Sequence, residues 1–101
     1  MDNFESIEYR SRLTSPDLVA GNVTPVQTGV LEEGVYSIMN VSDVDCWIKV
    51  GVTANDVNAA SGRRVISGNE VFEEVKEGRK IGALAVTGTV TLEIHKIRSL
   101  N

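Results

Sequence analysis

From Asn22 onward the chain is rich in valine, isoleucine and threonine, and glycines interrupt it at short intervals. Side chains branched at Cβ fit the pleated surface of a sheet, whereas glycine allows the tight turns between strands. No stretch keeps the 3.6-residue apolar period of an amphipathic helix over several turns. This pattern predicts an all-β fold made of short strands joined by turns.

Seven strand segments are predicted along this part of the chain. They are residues 23–28, 35–41, 45–50, 65–66, 70–75, 80–86 and 90–97. Apolar and polar side chains alternate most clearly in segments 45–50 and 90–97, as expected of strands with one buried face. Hairpin turns are predicted at Ser42–Asp43 and Thr87–Gly88. Together these features predict an antiparallel β-sandwich of jelly-roll type.

The first 21 residues differ from the remainder of the chain. They are polar and rich in serine, and they show no sustained apolar period. Ser15 and Pro16 could cap and open a single helical turn that Gly21 would end. We therefore predict an N-terminal arm over residues 1–21 and one β-sandwich domain over residues 22–101.

Composition excludes several classes of partner. The 101 residues include 10 Lys+Arg and 14 Asp+Glu, a formal charge of -4, whereas nucleic-acid binding requires a surplus of basic residues on one face. The amino terminus has acidic residues and no apolar run, so neither a signal peptide nor a membrane span is predicted. Cys46 is the only cysteine, which precludes an internal disulfide and suits a reducing cytoplasm.

The residues that could carry chemistry are few. His95 is the only histidine and is predicted on the solvent face of the last strand, and Cys46 is predicted to be a core thiol. Asp43 and Asp45 could begin a calcium site, but no further ligands follow them at suitable spacing, so a turn is the preferred interpretation. The sequence thus predicts no catalytic residue, no metal site and no cofactor.

Partner contacts are predicted around the one long connection, residues 52–62, because long loops in small domains are often functional. Trp47 has two open interpretations: it packs in a second layer of the fold, or it anchors an interface. The candidate contact residues are Trp47, Asn55, Asp56, Asn58, Arg63 and Arg64.

Five stretches of the chain carry a resemblance to a known group of proteins. They are GVYSIMN at 34–40, CWIKVG at 46–51, VISGNE at 65–70, EG at 77–78 and IGALAVTGTVTLEI at 81–94. This succession of strands and turns resembles small β-sandwich structural proteins of tailed bacteriophages. The resemblance spans about residues 33–97. The bulky Cys46–Trp47 pair and the acidic stretch 70–77 depart from the pattern.

The resemblance implies a virion component without catalytic activity. A capsid decoration or cement protein is expected, with the major capsid protein or another virion protein as partner and with homo-oligomers formed. It would be made in the host cytoplasm and found in the virion, with no nucleic-acid or membrane partner. The alternatives are a tail or fibre domain and a small carbohydrate-binding sandwich. A cupin-like enzyme is disfavoured because a single histidine cannot supply its metal ligands.

Overall fold

A computed structural model describes residues 18–100. Within this range the chain forms eight β-strands and no helix. The strands are β1 (Leu18–Ala20), β2 (Val26–Gln27), β3 (Gly34–Asn40), β4 (Cys46–Gly51), β5 (Arg63–Val65), β6 (Glu70–Val75), β7 (Lys80–Ala85) and β8 (Val90–Arg98).

The strands form two four-stranded sheets. Sheet A has the order β1-β8-β3-β6, and sheet B has the order β2-β7-β4-β5. Strand β1 pairs with β8, β2 with β7, β3 with β6 and β4 with β5, and every pairing is antiparallel. This is the pairing of one long hairpin wound over itself, which defines a jelly roll. The predicted all-β, jelly-roll sandwich is confirmed, with eight strands instead of seven.

The additional strand is β1, which the sequence did not predict. Leu18, Val19 and Ala20 pair with Leu92, Thr91 and Val90 of β8. Because Leu18 and Ala20 are buried in the core, the predicted arm boundary at residue 21 is wrong for this segment, and so is a helical turn through Leu18 and Val19. The other residues of the predicted arm, 1–17, lie outside the described residues.

The two predicted hairpin turns are also wrong. Strands β3 and β8 belong to sheet A, whereas β4 and β7 belong to sheet B. The segments at Ser42–Asp43 and Thr87–Gly88 therefore carry the chain from one sheet to the other. Sequence alternation cannot distinguish this crossing from a hairpin, because both join two half-buried strands through a short polar turn.

The core lies between the sheets and consists of apolar side chains from alternate strand positions. Ile38 and Ile94 face each other across β3 and β8, while Cys46 and Ile48 of β4 enter from sheet B. The buried core residues are Leu18, Ala20, Leu31, Tyr36, Ile38, Cys46, Ile48, Val65, Val75, Ile81, Ala83, Ala85, Val90, Leu92 and Ile94. The interior is therefore packed, and the candidate functional residues lie on the outside.

Candidate interaction surfaces

The long loop of residues 52–62, hereafter the covering loop, packs over the outer face of sheet B. Its Ala54 and Val57 are buried, although neither belongs to the core between the sheets. The backbone N–H of Ala54 donates to Oε1 of Gln27 on β2 at 2.9 Å. The Ala54 backbone lies so close to Gly82 of β7 that a Cβ at position 82 would overlap it. The loop is thus a second, thin layer of the fold.

Polar side chains hold the covering loop in shape. Oδ1 of Asn58 accepts hydrogen bonds from the N–H groups of Ala60 and Ser61, at 2.8 and 3.0 Å. Asp56 accepts from Nζ of Lys49 at 2.7 Å, and this hydrogen bond is the main cause of the lowered pKa of Asp56. Of the three predicted contacts in the loop, Asn58 and Asp56 thus bond within the chain, and Asn55 is exposed.

Trp47 lies on the outer face of sheet B and is half-buried. Its neighbours across the sheet are Leu84 on β7 and Arg64 on β5. The covering loop ends beside it, since a Cβ at Gly62 would lie 2.7 Å from Cβ of Trp47. Trp47 thus lies beside the end of the covering loop, with part of its side chain exposed.

The two predicted arginine contacts form ion pairs within the chain. Nη1 of Arg63 lies 2.6 Å from Oε2 of Glu73 and donates to the carbonyl oxygen of Phe72 at 3.3 Å. Because β5 and β6 are edge strands of opposite sheets, Arg63 bridges the open side of the sandwich. Nη2 of Arg64 lies 2.7 Å from Oδ2 of Asp45. The structure brings Arg64 next to Trp47, but it places Arg63 on the side of the molecule.

One end of the sandwich is held by a polar network that the sequence did not reveal. Asn40 is fully buried, and its Nδ2 donates to the carbonyl oxygens of Val44 and Val65, at 2.8 and 3.3 Å. Its Oδ1 accepts from the N–H of Ser42 at 2.9 Å. Asn40 thereby satisfies three backbone groups that would otherwise be left without partners where the chain changes sheets.

The network continues through Ser67, which follows β5. Its hydroxyl donates to the carbonyl oxygen of Ser42 at 2.7 Å, and its N–H donates to Oδ1 of Asp45 at 2.9 Å. The Ser67 hydrogen bond is the largest cause of the lowered pKa of Asp45, followed by the hydrogen bond from Arg64. Asp45 is therefore bonded within the connection that carries the chain from β3 to β4, and not within a hairpin.

The outer face of sheet A carries exposed apolar side chains. Val19 of β1 lies opposite Thr91, and Val41 donates its backbone N–H to the carbonyl oxygen of the same Thr91. Met39 precedes Val41 by two residues on the same side of the strand, and Phe72 of β6 lies diagonally next to Met39. We call this set, Val19, Val41, Met39 and Phe72, the apolar diagonal. Its members lie on or next to β1, β3 and β6, and Thr91 of β8 lies between Val19 and Val41.

The two outer faces therefore differ. In sheet B the covering loop overlies part of the face, and no strand residue is among the exposed large apolar side chains. In sheet A, by contrast, the strand residues Val19 and Phe72 are both more than half exposed. Exposed apolar side chains grouped on one face of a small domain are typical of a surface that binds a partner.

Carboxylates flank the apolar diagonal on both sides. Met39 is paired with Glu93 on β8 and with Glu70 on β6. In the next row Ser37 lies between His95 and Phe72, and its hydroxyl donates to Oε2 of Glu70. The Ser37 hydroxyl thus directs its proton toward Glu70 and not toward His95 on the neighbouring strand.

The remaining reactive groups are buried in the core. Burial, followed by the charge of Asp45, raises the pKa of the Cys46 thiol to about 11. Burial also raises the pKa of Tyr36 to about 12, while its hydroxyl donates to the carbonyl oxygen of Glu32 at 2.8 Å. A thiol with a raised pKa and no solvent access is a weak nucleophile, as the core interpretation of Cys46 requires.

The apolar diagonal and the polar network are thus the features that sequence analysis missed. A partial signal for Phe72 was present, because Phe72 shares its strand face with Glu70 and Glu74 and not with Val71 or Val75. A large aromatic residue on the charged face of an edge strand indicates exposure. Nothing in the local sequence distinguishes Asn40 from an ordinary turn residue.

Two further observations concern residues 18–100 alone. No three histidine, cysteine, aspartate or glutamate side chains in this range are grouped so that they could hold a metal ion. No helix there has the length and hydropathy needed to cross a membrane. Comparisons of the chain with models of protein families, with curated proteins and with solved structures found no match.

Proposed function

We propose that this chain is a structural protein of a tailed-bacteriophage virion, and specifically a decoration protein that binds the surface of the head and stabilises it. The observation that carries the proposal is the apolar diagonal on the outer face of sheet A, where Val19 and Phe72 are more than half exposed. It offers a binding surface on a domain whose interior is filled by its own side chains. The sequence resemblance to small phage sandwich proteins supplies the class of partner.

The rigidity of the domain supports this function. Recognition of a fixed, repeated surface is favoured when the binding side chains are held in place before contact, because less conformational entropy is lost on binding. Three members of the apolar diagonal lie in strands of sheet A, namely β1, β3 and β6, and the fourth, Val41, directly follows β3. The polar network around Asn40 fixes the end of the sheet next to Val41.

The jelly roll by itself does not decide between functions, since capsid proteins, lectins and cupins share it. A carbohydrate-binding role would call for exposed aromatic rings that stack on sugars. Phe72 is the one aromatic side chain among residues 18–100 that is largely exposed, and a glutamate stands two residues away on either side. A tail or fibre domain would use the same apolar diagonal, and it remains the second candidate.

The test uses the phage whose genome encodes the chain. Heads are prepared without this protein, mixed with the purified chain and sedimented. We expect saturable co-sedimentation at a fixed ratio to the major capsid protein, and a higher melting temperature of the decorated heads. Purified tails serve as the comparison. Binding to tails but not to heads would support the second candidate, and binding to neither would refute a virion role.

A further inference from the structure

We propose that the Arg63 side chain covers the outer edge of β6 and thereby prevents this strand from pairing with β6 of a second copy. Self-association through a strand edge is a property of the domain alone, so this role does not depend on a place in the virion. It goes beyond the proposed function, because binding to a head does not require it.

Strand β6 has the longest free edge among the described strands. The strands at the edges of the two sheets are β1, β2, β5 and β6, with 3, 2, 3 and 6 residues, respectively. On one side β6 pairs with β3, and no strand within residues 18–100 pairs with its other side. A long edge strand is a template for pairing with another chain, and keeping edge strands very short is one way to avoid this.

The backbone groups that point outward from β6 follow from the register of its pairing with β3. The N–H of Asn40 donates to the carbonyl oxygen of Asn69 at 2.9 Å, so the even-numbered residues of β3 direct their backbone groups toward β6. Their partners in β6 are Val71, Glu73 and Val75. The alternate residues, Glu70, Phe72 and Glu74, therefore direct their N–H and C=O groups away from the sheet.

Arg63 of β5 covers the middle of this outward row. Its Nη1 donates to the carbonyl oxygen of Phe72 at 3.3 Å and lies 2.6 Å from Oε2 of Glu73. Arg63 shares its strand face with Val65, which is buried in the core. Glu73 likewise shares its face with the buried Val75. The two charges thus occupy inward-facing positions of two edge strands, and inward-facing charges are a way of protecting an edge from pairing.

The opposite side of the sandwich is closed by backbone groups instead. The chain passes there from β1 in sheet A to β2 in sheet B. The N–H of Ala85 on β7 donates to the carbonyl oxygen of Gly21 in this connection, at 2.9 Å. On the side of β5 and β6 the contact with Phe72 and Glu73 is made by a side chain, which a single substitution removes.

The expected product of removing Arg63 is an antiparallel pair of β6 strands centred on Phe72. The outward groups of Phe72 in the two copies would then bond to each other, and the two rings would form an aromatic cross-strand pair. Glu70 of each copy would lie opposite Glu74 of the other. Because these like charges repel, added salt should strengthen the association by screening them.

The experiment compares Arg63→Ala with Arg64→Ala. The two arginines are neighbours on β5, their side chains are 52% and 54% exposed, and each forms an ion pair, at 2.6 and 2.7 Å. Both substitutions make the formal charge of -4 more negative by one unit. We expect Arg63→Ala to raise the self-association constant from sedimentation equilibrium at least about tenfold, and Arg64→Ala to change it by less than about twofold.

Hydrogen exchange identifies the contact in the Arg63→Ala variant. The N–H groups of Phe72 and Glu74 should be protected at concentrations where the variant is associated, and they should exchange more rapidly after dilution. Thermal melts of both variants verify that the fold is retained. Equal association of the two variants would overturn the proposal. So would association that leaves these two amides unprotected, which is also the result expected if unfolded chains aggregate.

Discussion

The backbone of Ala54 lies directly over Gly82, in a contact that no side chain at position 82 would permit. This contact holds the covering loop against the outer face of sheet B, together with the hydrogen bond from Ala54 to Gln27. A glycine in a central strand usually weakens the strand, unless another part of the backbone approaches it closely. Gly82 is such a case, because the absence of a side chain there allows the covering loop to pack directly against the sheet.

Gly82→Ala is therefore expected to displace the covering loop and to lower the free energy of unfolding by about 1–3 kcal/mol. Trp47 is the only tryptophan and lies beside the end of this loop, so its fluorescence emission should shift to longer wavelength when the loop moves away. Limited proteolysis should also cut the variant within residues 52–62.

Gly29→Ala is the matched control for this prediction. Gly29 lies outside the strands, and a Cβ there would meet no atom within 4 Å. The free energy of unfolding of the Gly29→Ala variant should differ from that of the unaltered chain by less than about 0.5 kcal/mol, and its tryptophan fluorescence should not change. Equal effects of the two substitutions would show that the contact between Ala54 and Gly82 does not hold the loop.

The sequence predicted the sandwich because its signal is local. Alternation in Cys46–Gly51 and Val90–Arg98 reports one buried face, and the structure places Cys46 and Ile94 in the core accordingly. The pairing of strands is not local, so alternation could not show that β3 and β4 belong to different sheets. The three-residue strand β1 was missed because it is too short to show a period.

The predicted contact residues illustrate the same limit. The sequence analysis treated three charged residues in and beside the long loop as free to bind a partner: Arg63, Arg64 and Asp56. It could do so because the sequence does not show which opposite charge within the chain pairs with each of them. Their partners in the fold are Glu73, Asp45 and Lys49, respectively. The separation along the chain is 7 to 19 residues, and only the folded topology brings these groups together.

Asn40→Ala should destabilise the domain strongly. The substitution leaves the N–H of Ser42 and the carbonyl oxygens of Val44 and Val65 without the bonds that Asn40 makes to them. Each orphaned buried group costs about 1–3 kcal/mol, so a loss of about 3 kcal/mol is expected in denaturant unfolding. The control is Asn69→Ala, because the Asn69 side chain is exposed. A loss below about 1 kcal/mol for Asn40→Ala would indicate that water replaces the side chain.

Truncation at two positions tests the boundary of the folded domain. Removing residues 1–17 leaves the eight strands that lie within residues 18–100, so cooperative unfolding and the β-type circular dichroism spectrum should be retained. Removing residues 1–21 also deletes β1, with Leu18 and Ala20 from the core, and should cost about 3 kcal/mol or more. Equal stability of the two truncated chains would show that β1 contributes nothing to the fold.

Asp45→Asn should reduce stability in a pH-dependent manner. The N–H of Ser67 and the guanidinium of Arg64 hold the pKa of Asp45 below its ordinary value in the folded state. A carboxyl group with a lowered folded-state pKa stabilises the fold above its unfolded pKa of about 3.8, and this stabilisation disappears as the pH falls through the lower folded-state pKa.

The melting temperature of the unaltered chain should therefore exceed that of the Asp45→Asn variant at pH 7, and the difference should shrink toward pH 3. Asp43→Asn, at an exposed position in the same turn, is the control for the effect of replacing an aspartate there. A constant difference from pH 7 to pH 3 would mean that the Asp45 side chain acts through its shape and not through its charge.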